Sequence, residues 1–222
     1  MMLSNQTIRR RIEEGAIHIH SYNPDNIGPA SYDLRLADSF CKIVPQVTQV
    51  PVIVSADTPQ YRGFAPVVMP KPMKAIIKTR RMDESYPTEQ IIVPKGEVAI
   101  LPPKGFVLAS TEEEIKVPND VAVYVEGRSS IGRMGLQIQN AGFVDPGFSG
   151  RLTLELFNAS DIPIALIPGR RVCQITFIQL DMPTDKIYTG KYVNQYVATP
   201  SHIELDNDSA QYDISNAKGI LL

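Results

Sequence analysis

The chain has 222 residues, a length that fits one large domain or two small ones and allows a sizeable hydrophobic core. Its 22 Lys and Arg residues nearly balance 24 Asp and Glu residues, so the net charge is -2, and no block of like charge suits a nucleic-acid polymer or a membrane surface. Two cysteines, Cys41 and Cys173, are too few for a disulfide scaffold, a four-cysteine zinc site or an iron–sulfur cluster. We expect a cytoplasmic protein, since the arginine-rich N-terminal residues do not resemble a signal peptide and no apolar run reaches the roughly 18 residues of a membrane span.

The predicted elements are one short helix followed by a series of strands. Ser4 is suited to cap the helix, Ile8 and Ile12 share one of its faces, and Gly15 can end it. After it, nearly every apolar segment is short, rich in Val and Ile, and bounded by Pro, Gly, Asn or Asp, which is typical of β-strands. The predicted strands cover 31–36, 39–44, 49–54, 74–79, 90–94, 97–101, 105–109, 121–125, 136–139, 151–157, 162–167 and 172–180. This spacing predicts a mainly β fold of the sandwich or jelly-roll type.

Several enzyme classes are excluded by the residues that the chain lacks. A zinc deaminase needs an H-x-E segment and a P-C-x-x-C segment to hold its metal, but the histidines here are His18, His20 and His202, and no cysteines are paired. His18 and His20 alternate on a short extended segment and could ligate a metal, but two surface imidazoles are the simpler interpretation. The chain has no G-x-S-x-G elbow, Walker A loop or G-x-G-x-x-G motif. Any catalysis therefore depends on carboxylates, arginines, hydroxyls and backbone groups.

The densest polar cluster begins with the segment GRSSIGR, residues 127–133, which follows a predicted strand. It combines a glycine-containing turn with two hydroxyls and two guanidinium groups. Backbone N–H groups and arginine side chains bind phosphate oxygens through charge-assisted hydrogen bonds. The segment fits either an anion site or an ordinary capped turn with surface arginines.

Two carboxylates follow this cluster. Asp145 is the first residue of the tight turn DPG, where its carboxylate can either bind a ligand or cap the turn. Glu155 lies on a strand whose leucines, Leu152, Leu154 and Leu156, occupy the opposite face. On pattern alone, Glu155 is either an exposed strand residue or a desolvated base with a raised pKa.

Residues 124–180 closely resemble the dCTP deaminase branch of the dUTPase-like superfamily. They contain GRSSIGRMGL, AGFVDPGFSG, LTLELFN and PGRRVCQITF in the order of that family's successive blocks, and MLSNQTIRRRIEEG, IGPASYDLRL and KYVNQ elsewhere are also similar to it. Because the resemblance runs from about residue 2 to residue 200, it predicts one domain at 1–200, with an insertion at about 45–90 and a tail at 201–222. It implies a distorted jelly-roll fold assembled as a homotrimer, with active sites at the subunit interfaces.

The resemblance also implies a substrate and a reaction. The substrate is dCTP or dUTP, with Mg²⁺ bound through its phosphates, and dCTP is deaminated to dUTP without zinc; bifunctional members then cleave dUTP to dUMP. Glu155 matches the catalytic glutamate, which takes a proton from the water attacking C4 and passes one to the ring. Ser129 and Arg133 match residues that position the water, the exocyclic amine and the glutamate.

Further matches concern nucleotide binding. Arg128 and Ser130, beside Ser129, match phosphate contacts. Asp145 matches the ligand of the 3′-hydroxyl and, in hydrolysing members, the carboxylate that activates water at the α-phosphorus. The residues that match a C-terminal lid over the triphosphate are Tyr188, Lys191 and Gln195. Tyr188 is the looser match, because its spacing to Lys191 differs.

The segment QIQNAG, residues 137–142, departs from the family pattern. Deaminases of this branch commonly carry His-x-Thr-Ala here, and this chain is one residue shorter. Since this hairpin embraces the pyrimidine in the family, Asn140 and Ala141 are candidate base contacts. The asparagine resembles the one that some dUTPases have in the equivalent hairpin, whereas the Ala141-Gly142 pair resembles the sequence of bifunctional members. A dUTP diphosphatase that produces dUMP is therefore the alternative function.

Overall fold

A computed structural model describes residues 1–51, 73–77, 82, 84–139 and 142–206. As predicted, the fold is mostly β with one short N-terminal helix, and its main sheet curls into a half-barrel. The α-helices are α1 (Asn5–Glu13) and α2 (Ser129–Gly132). The strands are β1 (His18–Ile19), β2 (Tyr32–Ile43), β3 (Val47–Pro51), β4 (Met73–Ile77), β5 (Thr88–Ile92), β6 (Ala99–Leu101), β7 (Phe106–Lys116), β8 (Val121–Gly127), β9 (Leu136–Gln139), β10 (Phe143–Val144), β11 (Ser149–Asn158), β12 (Ile164–Leu166) and β13 (Arg171–Gln179). No helix in this part of the chain is both long and apolar enough to cross a membrane.

The division into one domain at 1–200, an insertion at about 45–90 and a tail at 201–222 stays a prediction. Parts of these segments and two candidate base contacts lie outside the described residues: 52–72, 78–81, 83, 207–222, Asn140 and Ala141.

The described strands pair antiparallel throughout. The largest sheet has nine strands, ordered β10-β8-β13-β2-β7-β11-β9 along its main path, with β1 also paired to β7 and β5 to β2. Two smaller sheets pair β12 with β6 and β3 with β4. This order places strands that are distant in sequence side by side. The segments that contain Asp33, Arg128 and Glu155 therefore belong to, or directly follow, strands of one sheet.

Helix α1 forms as its sequence predicts. Ser4 caps it by accepting a hydrogen bond from the Thr7 backbone N–H at 3.5 Å, and Ile8 is buried in the core. Gly15 lies just beyond the helix with a φ of +70°, a conformation that glycine adopts without steric cost. Arg11 fixes the helix to the start of β8 through a bidentate contact with Asp120, at 2.7 and 2.8 Å.

Two strand predictions were wrong in their limits. The separate strands expected at 31–36 and 39–44 are one continuous strand, β2, whose register against β7 shifts between Leu36 and Phe40. The shift lets the strand bend without ending. The strand expected at 105–109 continues to Lys116 as β7, through a run of three glutamates at 112–114.

The glutamate run stays in the strand because its middle member has a partner. Glu113 is fully buried, and its carboxylate accepts hydrogen bonds from Arg35 Nε at 2.7 Å and from the Arg35 backbone N–H at 2.8 Å. Arg35 also approaches Glu112 at 3.1 Å. Partial burial acts to lower the pKa of Arg35, but the hydrogen bond and charge of Glu113 outweigh it and raise that pKa. A charged pair thus joins β2 to β7 inside the protein.

The two cysteines are unpaired and lie in the core. Cys41 on β2 and Cys173 on β13 are each 0% exposed. Burial raises the pKa of both thiols, because the thiolate is poorly solvated in apolar surroundings.

Candidate active site

Strand β11 carries Glu155 on the face opposite the core. Leu154 and Leu156 are fully buried, whereas Glu155 between them is partly exposed, as the alternation predicted. In the sheet, Glu155 pairs with Leu108 of β7 on one side and with Gln139 of β9 on the other. Because strands flank it on both sides, the backbone position of Glu155 is firmly fixed.

A cavity of about 470 Å³ lies over this face of β11. Its described lining is mainly aromatic and aliphatic, and the charged residues in that lining are Asp145 and Glu155. The lining consists of Ile43, Tyr86, Thr88, Phe106, Leu108, Phe143, Val144, Asp145, Phe148, Leu152, Thr153, Glu155, Tyr188, Tyr192, Gln195, Thr199, Pro200 and Ser201. A volume of this size and a few polar groups on apolar walls are typical of small-molecule sites.

The turn after β10 brings Asp145 to the cavity. The Phe148 backbone N–H donates to the Asp145 backbone oxygen at 3.2 Å, so the turn is closed by the main chain rather than by the carboxylate. Gly147 has a φ of +87°, and a Cβ at this position would lie 2.5 Å from the Cβ of Ile187. Glycine is therefore required here, both for the turn and for the close approach of the chain that follows β13.

Residues 188–206, here called the C-terminal arm, form a wall of the cavity. The Tyr188 backbone N–H donates to the Pro146 oxygen at 2.8 Å, which anchors the start of the arm on the Asp145 turn. Farther along, Gln195 binds Arg151 of β11 twice, since its backbone oxygen accepts from the Arg151 N–H and its Nε2 donates to the Arg151 oxygen, both at 2.8 Å. The Thr199 N–H donates to the hydroxyl of Thr153, next to Glu155, at 3.1 Å.

The predicted lid residues differ in their surroundings. Tyr188 and Gln195 line the cavity, and Gln195 Oε1 is buried without a hydrogen-bond partner among the described residues. Lys191 is not part of the lining; its Nζ lies 2.6 Å from the carboxylate of Asp206, and this hydrogen bond raises the pKa of Lys191. The last part of the arm, residues 201–206, which is also the beginning of the predicted tail, thus packs against the earlier part of the arm, where His202 also stacks on Tyr192 with ring centroids 5.8 Å apart.

The GRSSIGR segment forms the short helix α2 rather than a plain turn. Ser129, Ser130 and Arg133 are exposed on it, and none of them lines the described cavity. Arg128, which precedes α2, is partly buried and pairs through Nε with Asp33 at 3.2 Å. Of the predicted site residues, the cavity of one chain therefore brings together Asp145, Glu155, Tyr188 and Gln195. It does not include the α2 group, which consists of Arg128, Ser129, Ser130 and Arg133.

A family model described as "dCTP deaminase-like" matches residues 2–180. The chain belongs to the dCTP deaminase-like family. The match includes α2, the Asp145 turn and β11, but ends before the C-terminal arm.

Curated members of the family match at higher coverage. A protein from Sulfurihydrogenibium sp. named "dCTP deaminase, dUMP-forming" is 39% identical over 208 residues, which is 94% of this chain and 100% of that protein. One of the same name from Aquifex aeolicus is 37% identical over 208 residues, covering 94% of this chain and 98% of that protein. A crystal structure of 2′-deoxycytidine 5′-triphosphate deaminase from Agrobacterium tumefaciens has a TM-score of 0.51 and 18% identity, covering 79% of this chain but only 47% of that one, and shows a shared fold.

Several residues that line the cavity of this chain were not predicted from its sequence. Tyr86 and Thr88 come from the predicted insertion, and Tyr192 and Thr199 come from the arm. Aromatic and hydroxyl side chains in irregular segments carry no periodic signal, so nothing local assigned them to a site. Asp33 lies in the family-like segment PASYDLRL, but its pairing with Arg128 depends on contacts across the sheet.

Proposed function

We propose that this protein deaminates dCTP to dUTP without zinc and then hydrolyses dUTP to dUMP and diphosphate, as a step toward dTTP precursors in the cytoplasm. The observation that carries the proposal is the placement of two carboxylates, Glu155 and Asp145, on one cavity. Support comes from relatives named "dCTP deaminase, dUMP-forming" that match along almost their whole length.

In the deamination step, Glu155 acts as the proton carrier. It takes a proton from the water that adds to C4 of cytosine, and it delivers a proton to the ring nitrogen N3. Glu155 then carries the proton of the C4 hydroxyl to the amino group, so that the tetrahedral carbon expels ammonia and the C4 oxygen becomes the carbonyl of uracil. A carboxylate can both accept and return a proton, and the cavity walls beside Glu155, which include Phe106 and Leu108, are apolar.

In the hydrolysis step, Asp145 activates a water molecule for attack at the α-phosphorus. The bond from the α-phosphorus to the bridging oxygen breaks, diphosphate leaves, and dUMP remains. Mg²⁺ enters as part of the substrate, bound to the triphosphate, where it offsets the charge of the leaving group. Asp145 is the first residue of its turn and is exposed, so its carboxylate is accessible to a nucleotide.

The phosphate-binding and water-positioning groups come from a second copy of the chain in this proposal. Arg128, Ser129, Ser130 and Arg133 are the predicted groups, and the cavity that contains Glu155 does not include them. A homotrimer in which α2 of one protomer faces the cavity of its neighbour completes each site. Lys191 and Gln195 of the arm, with Tyr188, then cover the triphosphate, and Lys191 exchanges Asp206 for phosphate.

A product assay tests the proposed function. The protein is incubated with Mg²⁺ and either dCTP or dUTP, and dUTP, dUMP and dCMP are separated by chromatography while ammonia is quantified. We expect dUMP, ammonia and diphosphate from dCTP. Formation of dUTP alone would remove the hydrolytic half of the proposal, and no change in either nucleotide would refute both halves.

Mixing two inactive variants tests the shared site. Glu155→Gln and Arg133→Ala chains, each inactive alone, are co-expressed with different tags and isolated as mixed oligomers. If Glu155 and Arg133 of one site come from different protomers, about one of the three sites in each mixed trimer holds both intact groups, so ammonia release recovers to about a third of wild type. If one chain supplies both residues, the mixed oligomers stay as inactive as the separate variants.

A dUTP diphosphatase without deaminase activity is the second candidate, favoured by the shortened hairpin QIQNAG at 137–142. It predicts diphosphate release from dUTP that is lost in Asp145→Asn and retained in Glu155→Gln. The same chromatographic assay separates it from the leading proposal, because dCTP then remains unchanged.

A further inference from the structure

Asp33 holds two arginines at once. Its Oδ2 lies 3.2 Å from Arg128 Nε and 3.3 Å from Arg171 Nη1. Arg128 is further fixed by its Nη1, which donates to the Arg171 backbone oxygen at 3.5 Å, and by its backbone N–H, which donates to the Val172 oxygen at 3.2 Å. The side chain of Asp33 is only 15% exposed, whereas those of Arg128 and Arg171 are 28% and 44% exposed.

The sheet explains how Asp33 reaches these partners. Asp33 lies on β2 between the buried residues Tyr32 and Leu34, so its side chain points away from the core. It is level with Gln174 of β13, and Gln174 in turn is level with Glu126 of β8. Arg128 follows directly after β8, so the carboxylate of β2 bridges over β13 to a guanidinium at the end of β8.

The charges in this cluster do not cancel. One carboxylate faces two guanidinium groups, which leaves one positive charge in excess. The excess favours an anion such as phosphate, while the carboxylate restricts the rotamers of Arg128 before the anion arrives. Restricting a long side chain in its binding position reduces the entropy lost on binding.

We propose that Asp33 is a positioning residue for the triphosphate, acting through Arg128. This inference rests on the proposed function, in which Arg128 contacts the phosphates of dCTP. Asp33 does not touch the nucleotide; it holds the guanidinium of Arg128 in its binding orientation, and Arg171 shares the same carboxylate.

The test measures nucleotide binding in the Glu155→Gln background, where the nucleotide stays intact. Asp33→Asn keeps the shape of the side chain and removes its charge. We expect it to weaken binding of Mg²⁺-bound dCTP roughly tenfold, the factor expected for one charge-assisted hydrogen bond, and to change binding of dCMP by less than about twofold. When Asp33→Asn is made in a chain that retains Glu155, we expect the KM for dCTP to rise and kcat to change little. Asp161→Asn, which removes a surface carboxylate paired with Lys104, is the matched control and leaves both affinities unchanged.

A double-mutant cycle separates positioning from a general structural effect. In Arg128→Gln, dCTP already binds weakly, and adding Asp33→Asn is expected to cause no further loss. Equal weakening of dCTP and dCMP, additive losses in the cycle, or tighter dCTP binding in Asp33→Asn would each overturn the inference while the proposed function stands. If the wild-type protein neither binds nor converts dCTP and dUTP, the proposed function and this inference both fail.

Discussion

Glu155→Gln is expected to reduce ammonia release from dCTP by roughly 10²- to 10⁴-fold, the usual contribution of a positioned general acid–base. The amide has the shape of the carboxylate but cannot accept a proton from water and return it to the ring. Strands β7 and β9 hold the backbone of residue 155 on both sides, so the variant keeps its fold and still binds dCTP. Ammonia release and dCTP binding, measured separately, check the two parts of this expectation.

Two comparison variants make the result specific. Glu126→Gln makes the same change at an exposed position on β8, outside the described cavity lining, and is expected to retain wild-type activity. Asp145→Asn is expected to stop diphosphate release from dUTP and to spare ammonia release from dCTP. Unchanged ammonia release in Glu155→Gln would refute the assignment of this residue as the proton carrier.

Arg35→Met is expected to lower the free energy of unfolding by about 3 kcal/mol, because it leaves the carboxylate of Glu113 buried without its charged partner. Methionine keeps most of the aliphatic part of the side chain, so packing changes little. Glu113 retains only the hydrogen bond from the backbone N–H of residue 35 among those described at its carboxylate. Urea unfolding followed by circular dichroism measures the loss.

The second member of the pair provides the internal control. Adding Glu113→Gln to Arg35→Met removes the unpaired charge, and we expect the double variant to regain part of the lost stability. Arg10→Met, which disrupts a surface pair with Glu14 at 3.8 Å, should change stability within experimental error. If Arg35→Met lowers the free energy of unfolding no more than Arg10→Met does, the buried pair does not stabilise the contact between β2 and β7.

The sequence predicted those features that depend on neighbouring residues. The alternation along β11 gave the orientation of Glu155, and Ser4 and Gly15 gave the limits of α1, because strand faces and helix caps are encoded locally. The strand expected at 105–109 is too short, because β7 continues through the glutamates to Lys116. Only the contact with Arg35, 78 residues away, makes a buried glutamate tolerable there.

Long-range proximity explains the rest of what was missed. Thr199 lines the cavity through its bond to Thr153, and Tyr86 lines it from another part of the chain. No spacing within either segment predicts that they meet. The same reason applies to the α2 group. The resemblance predicted that this group and Glu155 belong to one site, but the sequence alone did not show that the cavity of a single chain contains Glu155 without the α2 group.

Burial of both native thiols makes the protein well suited to site-specific labelling. Cys41 and Cys173 are the two cysteines of the chain, and the core protects both from alkylating reagents in the folded state. A cysteine introduced at Tyr196, an arm position that is 53% exposed, would then be the preferred target of a maleimide dye. Fluorescence from that dye can follow the arm in real time as nucleotide is added, with no need to remove native residues first.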